Sequence, residues 1–217
     1  MAPDIKFCGL TRSIDARAAA ELGAAYVGVI FAGGPRQLTA QLAADVLAGL
    51  PTSVRRVGVF GPQTTEEIAS IASALRLDVV QLHDRGDSAS VSALRKLTSA
   101  EVWSVLRLSR GFLPENSKAI ADAADGVVLD AYVSSGLGGT GVALPWEELA
   151  GQLAGLRSTR LILAGGLRPE NVARAISLVA PDVVDVSSGV ETEVGIKDFE
   201  KMKAFRDAVS QASIHTL

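Results

Sequence analysis

Asp78-Val79-Val80-Gln81-Leu82 returns 104 residues further along the chain as Asp182-Val183-Val184-Asp185-Val186. The stretches ahead of the two copies keep step, with Ile68-Ala69 aligning with Val172-Ala173, Leu75 with Val179 and Gly61 with Gly165. Each copy is a short apolar run rather than a strict alternation, the pattern of a strand covered on both faces in a parallel sheet. A period near half of a 217-residue chain describes two similar four-strand halves that close on each other.

The rest of the chain extends that pattern. Strands are predicted at 5–8, 26–31, 55–60, 79–82, 102–108, 126–130, 160–164 and 183–186. Helical periodicity falls between them at 14–22, 40–50, 65–75, 88–97, 115–121, 146–153 and 170–179, with a last helix at 199–212. Thr64-Thr65-Glu66-Glu67 carries the hydroxyls and carboxylates of a helix start, and Pro169 stands early in another. Eight strands alternating with helices predict an α/β chain forming a single (β/α)8 TIM barrel over residues 1–217. The alternative is a doubly wound open sheet, because alternation alone does not show closure.

Composition narrows the function. Net charge is −3 and only 5% of residues are aromatic, which argues against nucleic acid as a partner. No apolar stretch reaches membrane-spanning length, so a membrane is not an expected partner either. One cysteine and two histidines leave no internal disulfide and no obvious metal centre, and a reduced, cytoplasmic protein follows. No metal is therefore expected, and monomer and homodimer both remain open.

In a barrel of this kind ligands bind at the carboxyl ends of the strands. Leu163-Ala164-Gly165-Gly166-Leu167 and Val186-Ser187-Ser188-Gly189 end strands seven and eight. Glycines let backbone N–H groups approach an anion, serines add hydroxyl donors, and a following helix start adds partial positive charge. These loops are expected to hold the phosphate of a phosphorylated small-molecule substrate, with Gly165, Gly166, Ser187, Ser188 and Gly189 as contacts. Cys8 ends strand one, and its thiolate can serve as a base if its pKa is lowered. Asp130 ends the apolar run Val127-Val128-Leu129, where a carboxyl can hold a proton for general acid work. Arg36, after Gly33-Gly34-Pro35, can pair with a substrate carboxylate, and His83 ends strand four as a ligand contact or a scaffold residue. Ser134-Ser135-Gly136-Leu137-Gly138-Gly139-Thr140-Gly141 reads as a flap, and it lacks the Lys of a nucleotide loop.

These motifs together resemble the phosphoribosylanthranilate isomerase family. The resemblance is carried by Lys6-Phe7-Cys8-Gly9-Leu10-Thr11, Val57-Gly58-Val59-Phe60, Gln81-Leu82-His83, Leu129-Asp130-Ala131, Gly138-Gly139-Thr140-Gly141, Leu163-Ala164-Gly165-Gly166-Leu167 and Asp185-Val186-Ser187-Ser188-Gly189-Val190-Glu191. It implies a cofactor-free Amadori rearrangement in tryptophan biosynthesis, with Cys8 as general base and Asp130 as general acid. It further implies Arg36 near the anthranilate carboxylate, His83 in the substrate site, Asp185 on sugar hydroxyls, and Gly166, Ser187 and Ser188 around the phosphate. Two stretches depart from the family pattern: 32–38 lacks Ser-Pro-Arg and its following aromatic, and 82–87 replaces a His-Gly-acidic sequence. An aminoaldose isomerase of the histidine pathway would use Asp where Cys8 stands. A metal-dependent ribulose-phosphate epimerase would want more histidines. A non-catalytic barrel would bind a phosphorylated metabolite without needing Cys8 or Asp130.

Overall fold

A computed structural model describes residues 2–84, 86–109, 111–131 and 146–212. Eight parallel strands close in chain order: β1 (Asp4–Phe7), β2 (Tyr26–Ile30), β3 (Arg55–Phe60), β4 (Val79–Leu82), β5 (Glu101–Leu108), β6 (Gly126–Ala131), β7 (Arg160–Leu163) and β8 (Val183–Val186), with β8 pairing back onto β1. Around them run α1 (Ser13–Glu21), α2 (Ala40–Leu47), α3 (Thr65–Leu75), α4 (Ser88–Leu94), α5 (Ser117–Ala123), α6 (Trp146–Ala150), α7 (Val172–Val179) and α8 (Phe199–Ala212). Closure removes the open-sheet alternative. No helix among the described residues is long and apolar enough to cross a membrane.

The repeat is visible in the backbone. Arg76 and Ala180, 104 residues apart, end α3 and α7 in the left-handed conformation, at φ 51° and 47°. Asp78 and Asp182 then each accept a backbone N–H from the preceding strand, from Arg56 and Leu161, both at 2.7 Å. The same local solution opens β4 and β8, which lie opposite each other in an eight-strand ring. Asp125 does likewise for Val102 N at 2.9 Å before β6.

Alternation along each strand sorts side chains into layers inside the barrel. The floor is apolar: Tyr26, Val57, Val79, Trp103, Ile162 and Val183 belong to one buried cluster, with the Tyr26 and Trp103 rings edge to face at 5.0 Å. Outward-facing residues pack against the helices in the larger core, where Phe7 meets Phe205 of α8 at 6.2 Å between centroids. The middle layer is different in kind. It holds Lys6, Gly28, Val59, Gln81, Val105, Val128, Ala164 and Asp185, two positions before the strand-end residues.

Predicted boundaries shift where caps intervene. The Thr64 hydroxyl and Glu67 carboxylate form a reciprocal capping box, as the sequence indicates. The predicted helix at 146–153 splits, α6 ending at Ala150 and a 3-10 turn covering Leu153–Leu156, with Gly151 between. The helix expected from Glu170 starts at Val172, because Asn171 Oδ1 accepts the Arg168 N–H and turns the chain first. A short antiparallel pair after β8, β9 (Glu191–Glu193) and β10 (Ile196–Lys197), is an element the sequence reading lacks. The proposed flap at 134–141 lies outside the described residues.

Candidate active site

One cavity at the carboxyl end of the barrel takes every site residue named from the sequence. Cys8, Arg36, His83, Asp130, Gly165, Gly166, Asp185, Ser187, Ser188 and Gly189 all line it. Its volume is about 850 Å3, open mouth included. Cys8 and Asp130 sit on strands three steps apart around the ring, so a substrate between them has a different group on each side. The wall beside Cys8 is apolar, built from Ile30, Ala32 and Val59.

The loops after β7 and β8 meet edge to edge. Gly165 and Gly166 take positive φ, 82° and 68°, as a tight turn presenting backbone amides requires. Gly189 lies so close to the facing loop that a Cβ there would fall 1.9 Å from the Leu167 carbonyl oxygen. The helix start expected behind Ser188 is a single 3-10 turn, Ser188–Val190.

Arg36 is buried, and its fork is engaged. Its Nε and Nη2 donate to Glu191 Oε1 and Oε2 at 2.8 and 2.6 Å. Glu191 Oε1 also accepts from Lys197 Nζ at 2.7 Å, and that ammonium donates to the Ser187 carbonyl at 3.0 Å. Arg36 therefore enters the cavity on a rigid ion network that reaches the β8 loop. Glu191 and Lys197 were missed as functional residues; both come from the unforeseen β9–β10 hairpin, and only Glu191's place in the quoted motif hinted at a role.

Lys6 and Gln81 were missed too. Lys6 Nζ donates to Asp185 Oδ2 at 2.6 Å and to Gln81 Oε1 at 3.0 Å, from a side chain with no exposure. Gln81 and Asp185 are equivalent positions of the repeat, so the two halves of the barrel grip one ammonium from opposite sides. The available signal was period two: Lys6 precedes Cys8 by two residues and shares its face. Asp185 Oδ1, also buried, has no hydrogen-bond partner and opens on the cavity.

Burial pushes the Cys8 thiol above its ordinary value, Lys6 and Lys197 pull it down, and Asp185 opposes them. The net direction is upward. Burial and the nearby Arg107 both lower the His83 pKa, leaving a neutral imidazole. Arg107 in turn bonds Asp84, the residue that departs from the family's glycine. Asp130 is half-buried where β6 meets the cavity.

A sequence profile for N-(5'-phosphoribosyl)anthranilate (PRA) isomerase matches residues 5–208. The chain belongs to that family. It is 43% identical over 213 residues to N-(5'-phosphoribosyl)anthranilate isomerase of Pseudomonas fluorescens (strain Pf0-1), covering 94% of this chain and 97% of that protein. The crystal structure of phosphoribosylanthranilate isomerase from Thermotoga maritima superposes with a TM-score of 0.87 at 31% identity, over 96% of this chain and 99% of that one. A structure of the enzyme in complex with reduced 1-(o-carboxyphenylamino)-1-deoxyribulose 5-phosphate gives 0.84 at 30% identity, over the same shares. The chain is thus a phosphoribosylanthranilate isomerase, an aldose–ketose isomerase of tryptophan biosynthesis.

Proposed function

We propose that Cys8 is the general base and Asp130 the general acid of this isomerisation. The observation that carries the assignment is a single cavity with these two groups on different strand ends and paired glycine–serine loops beside them. Asp130 donates its proton to the furanose ring oxygen as the C1–O bond breaks, and the anthranilate nitrogen supplies the electron pair that forms the C1=N iminium. Cys8, as thiolate, removes the C2 proton. The C–H electrons form the C1=C2 bond and neutralise the nitrogen. The enolamine then gains a proton at C1 and loses its C2 hydroxyl proton, giving the ketone. The substrate's own nitrogen is the electron sink, so acid–base groups are sufficient and no cofactor or metal is called for.

Binding follows from the same groups. Gly165, Gly166, Ser187, Ser188 and Gly189 hold the phosphate through backbone amides and hydroxyls. Asp185 Oδ1 accepts a sugar hydroxyl, which would satisfy its buried lone pairs. Arg36, held by Glu191, meets the anthranilate carboxylate, and neutral His83, after β4, lines the same cavity. A base that depends on a reduced thiol suits the cytoplasm.

The test follows anthranilate fluorescence while phosphoribosylanthranilate, generated in situ, is consumed. Cys8→Ala and Asp130→Asn should each lower kcat by about 10²–10⁴-fold with the fold retained. Full activity in Asp130→Asn removes the acid assignment, and full activity in Cys8→Ala removes the base.

A further inference from the structure

The barrel's middle layer contains a charged group where branched apolar side chains normally fill the space. Val59, Val105, Val128 and Ala164 do so at neighbouring positions, yet Lys6 stands among them with no exposure. A buried ion pair is poor value for stability, since an apolar replacement of similar volume is often neutral or stabilising. The fold alone gives Lys6 little reason to be there.

Its geometry supplies one. An ammonium has three donors. Two go to Gln81 Oε1 and Asp185 Oδ2, at 3.0 and 2.6 Å. Cys8 follows Lys6 by two residues on the same face, and the ammonium acts on the sulfur as a nearby positive charge. Across from both stands Gly28, in register with this end of β1, and its missing side chain is what keeps the space clear. A Cβ there would lie 3.0 Å from Cys8 Sγ and 3.3 Å from Lys6 Cε, wedged against the two groups. The charged groups around Sγ are Lys6 on β1, Arg36 after β2, Asp185 on β8 and Lys197 on β10. Arg36 and Lys197 are already committed to Glu191.

We propose that Lys6 is the positioning residue for the base: its ammonium, fixed between Gln81 and Asp185 beside Cys8, counters the burial of the sulfur so that it can ionise and take the C2 proton. Lys6 donates no proton to substrate. Asp185 sets Lys6 with one oxygen and leaves the other for the sugar, so substrate seating and base activation share one carboxylate. The proposal rests on Cys8 being the base.

Cys8 is the only thiol in the chain, so alkylation by iodoacetamide followed against pH reports this one sulfur. Lys6→Met keeps the side-chain length and removes the charge. Its alkylation profile should move to higher pH, with the rate at about pH 7.5 falling roughly 10-fold or more, and the acidic limb of kcat/KM should move the same way. Gln81→Leu keeps the ion pair but frees the ammonium, so its profile should move in the same direction by less; it decides the matter if Lys6→Met does not fold. Wild-type alkylation profiles in the folded variants overturn the proposal. Turnover surviving in Cys8→Ala instead removes the base itself, which separates the two failures.

Discussion

Gly189→Ala tests whether the loops after β7 and β8 form one anion cradle. A Cβ at this position falls 1.9 Å from the Leu167 carbonyl oxygen, whereas real Cβ atoms keep at least 3.0 Å. The loops must separate by at least about 1.1 Å. Neither yields easily: Leu167 is buried at 2% exposure, and Val190 is buried with its carbonyl accepting from Asp198 N at 2.9 Å. Overpacking of this kind costs about 1–3 kcal/mol, or roughly 2–12 °C in Tm for a chain of this size. Ser187 and Ser188 move with the loop, and a misplacement of about 1 Å can lower catalysis about 100-fold. We expect kcat/KM to fall by about that factor, with competitive inhibition by inorganic phosphate weakening in parallel. Gly155→Ala is the control, because its Cβ would meet nothing within 4 Å. It should leave activity unchanged and stabilise by at most about 1 kcal/mol. A Gly189→Ala protein with wild-type Tm and kcat/KM would refute the loop contact. A lowered Tm with unchanged phosphate inhibition would refute the cradle.

Glu191→Gln keeps a hydrogen-bonding side chain but removes the charge between Arg36 and Lys197; KM should rise about 10-fold or more in steady-state assays, and urea unfolding should show a loss of about 1.5–3 kcal/mol. Burial pushes the Glu191 carboxyl up, but Arg36 and Lys197 more than offset it and leave it below the usual range. Its stabilisation is therefore full above an unfolded carboxylate pKa of about 4.3 and fades as pH falls below that. Thermal melts of Glu191→Gln should accordingly show less dependence on pH there than the parent's. Phe205→Ala, on α8 behind Phe7 and outside the cavity lining, should cost about 3–5 kcal/mol by denaturant midpoint yet leave kcat near normal in the folded protein.

The fold was legible because burial on both faces writes itself into short apolar runs, and because a repeat of backbone solutions leaves a repeat of residues. The strand-end groups were legible for the same reason: once the strands were known, Cys8, His83, Asp130 and Ser187 followed by counting. What sequence reading lacked was the identity of partners. Arg36 was read as a loop guanidinium waiting for a carboxylate; the structure gives it Glu191, 155 residues away. Lys197 drew no reading from the sequence, and the structure buries it against the same Glu191. Helix ends were misjudged where a side chain bonded back to the preceding turn, as Asn171 does with Arg168 N–H, and overrode the apolar period. The burial that pushes the Cys8 thiol up was not legible either, because a strand end shows its walls only once the barrel is built.

These hidden partners explain how an acidic chain makes a site for an anionic substrate. Net charge is −3, which describes the surface. The buried charges at the cavity run the other way: Lys6, Arg36 and Lys197 against Asp185 and Glu191, three cations to two anions. In its proposed role as general acid, Asp130 enters the reaction protonated and leaves that balance alone. A single excess cation in a poorly solvated cavity attracts a phosphate and a carboxylate more strongly than a spread of surface lysines, whose fields are screened within about 10 Å at moderate salt. It also keeps the ligand-free protein stable, because each buried cation has a carboxylate to answer it. Removing Glu191 should therefore strengthen the pull on the anion while loosening the arginine that aims it. If aim matters more than attraction, KM rises as predicted; a fall in KM would show that net charge, rather than the placement of Arg36, governs substrate capture.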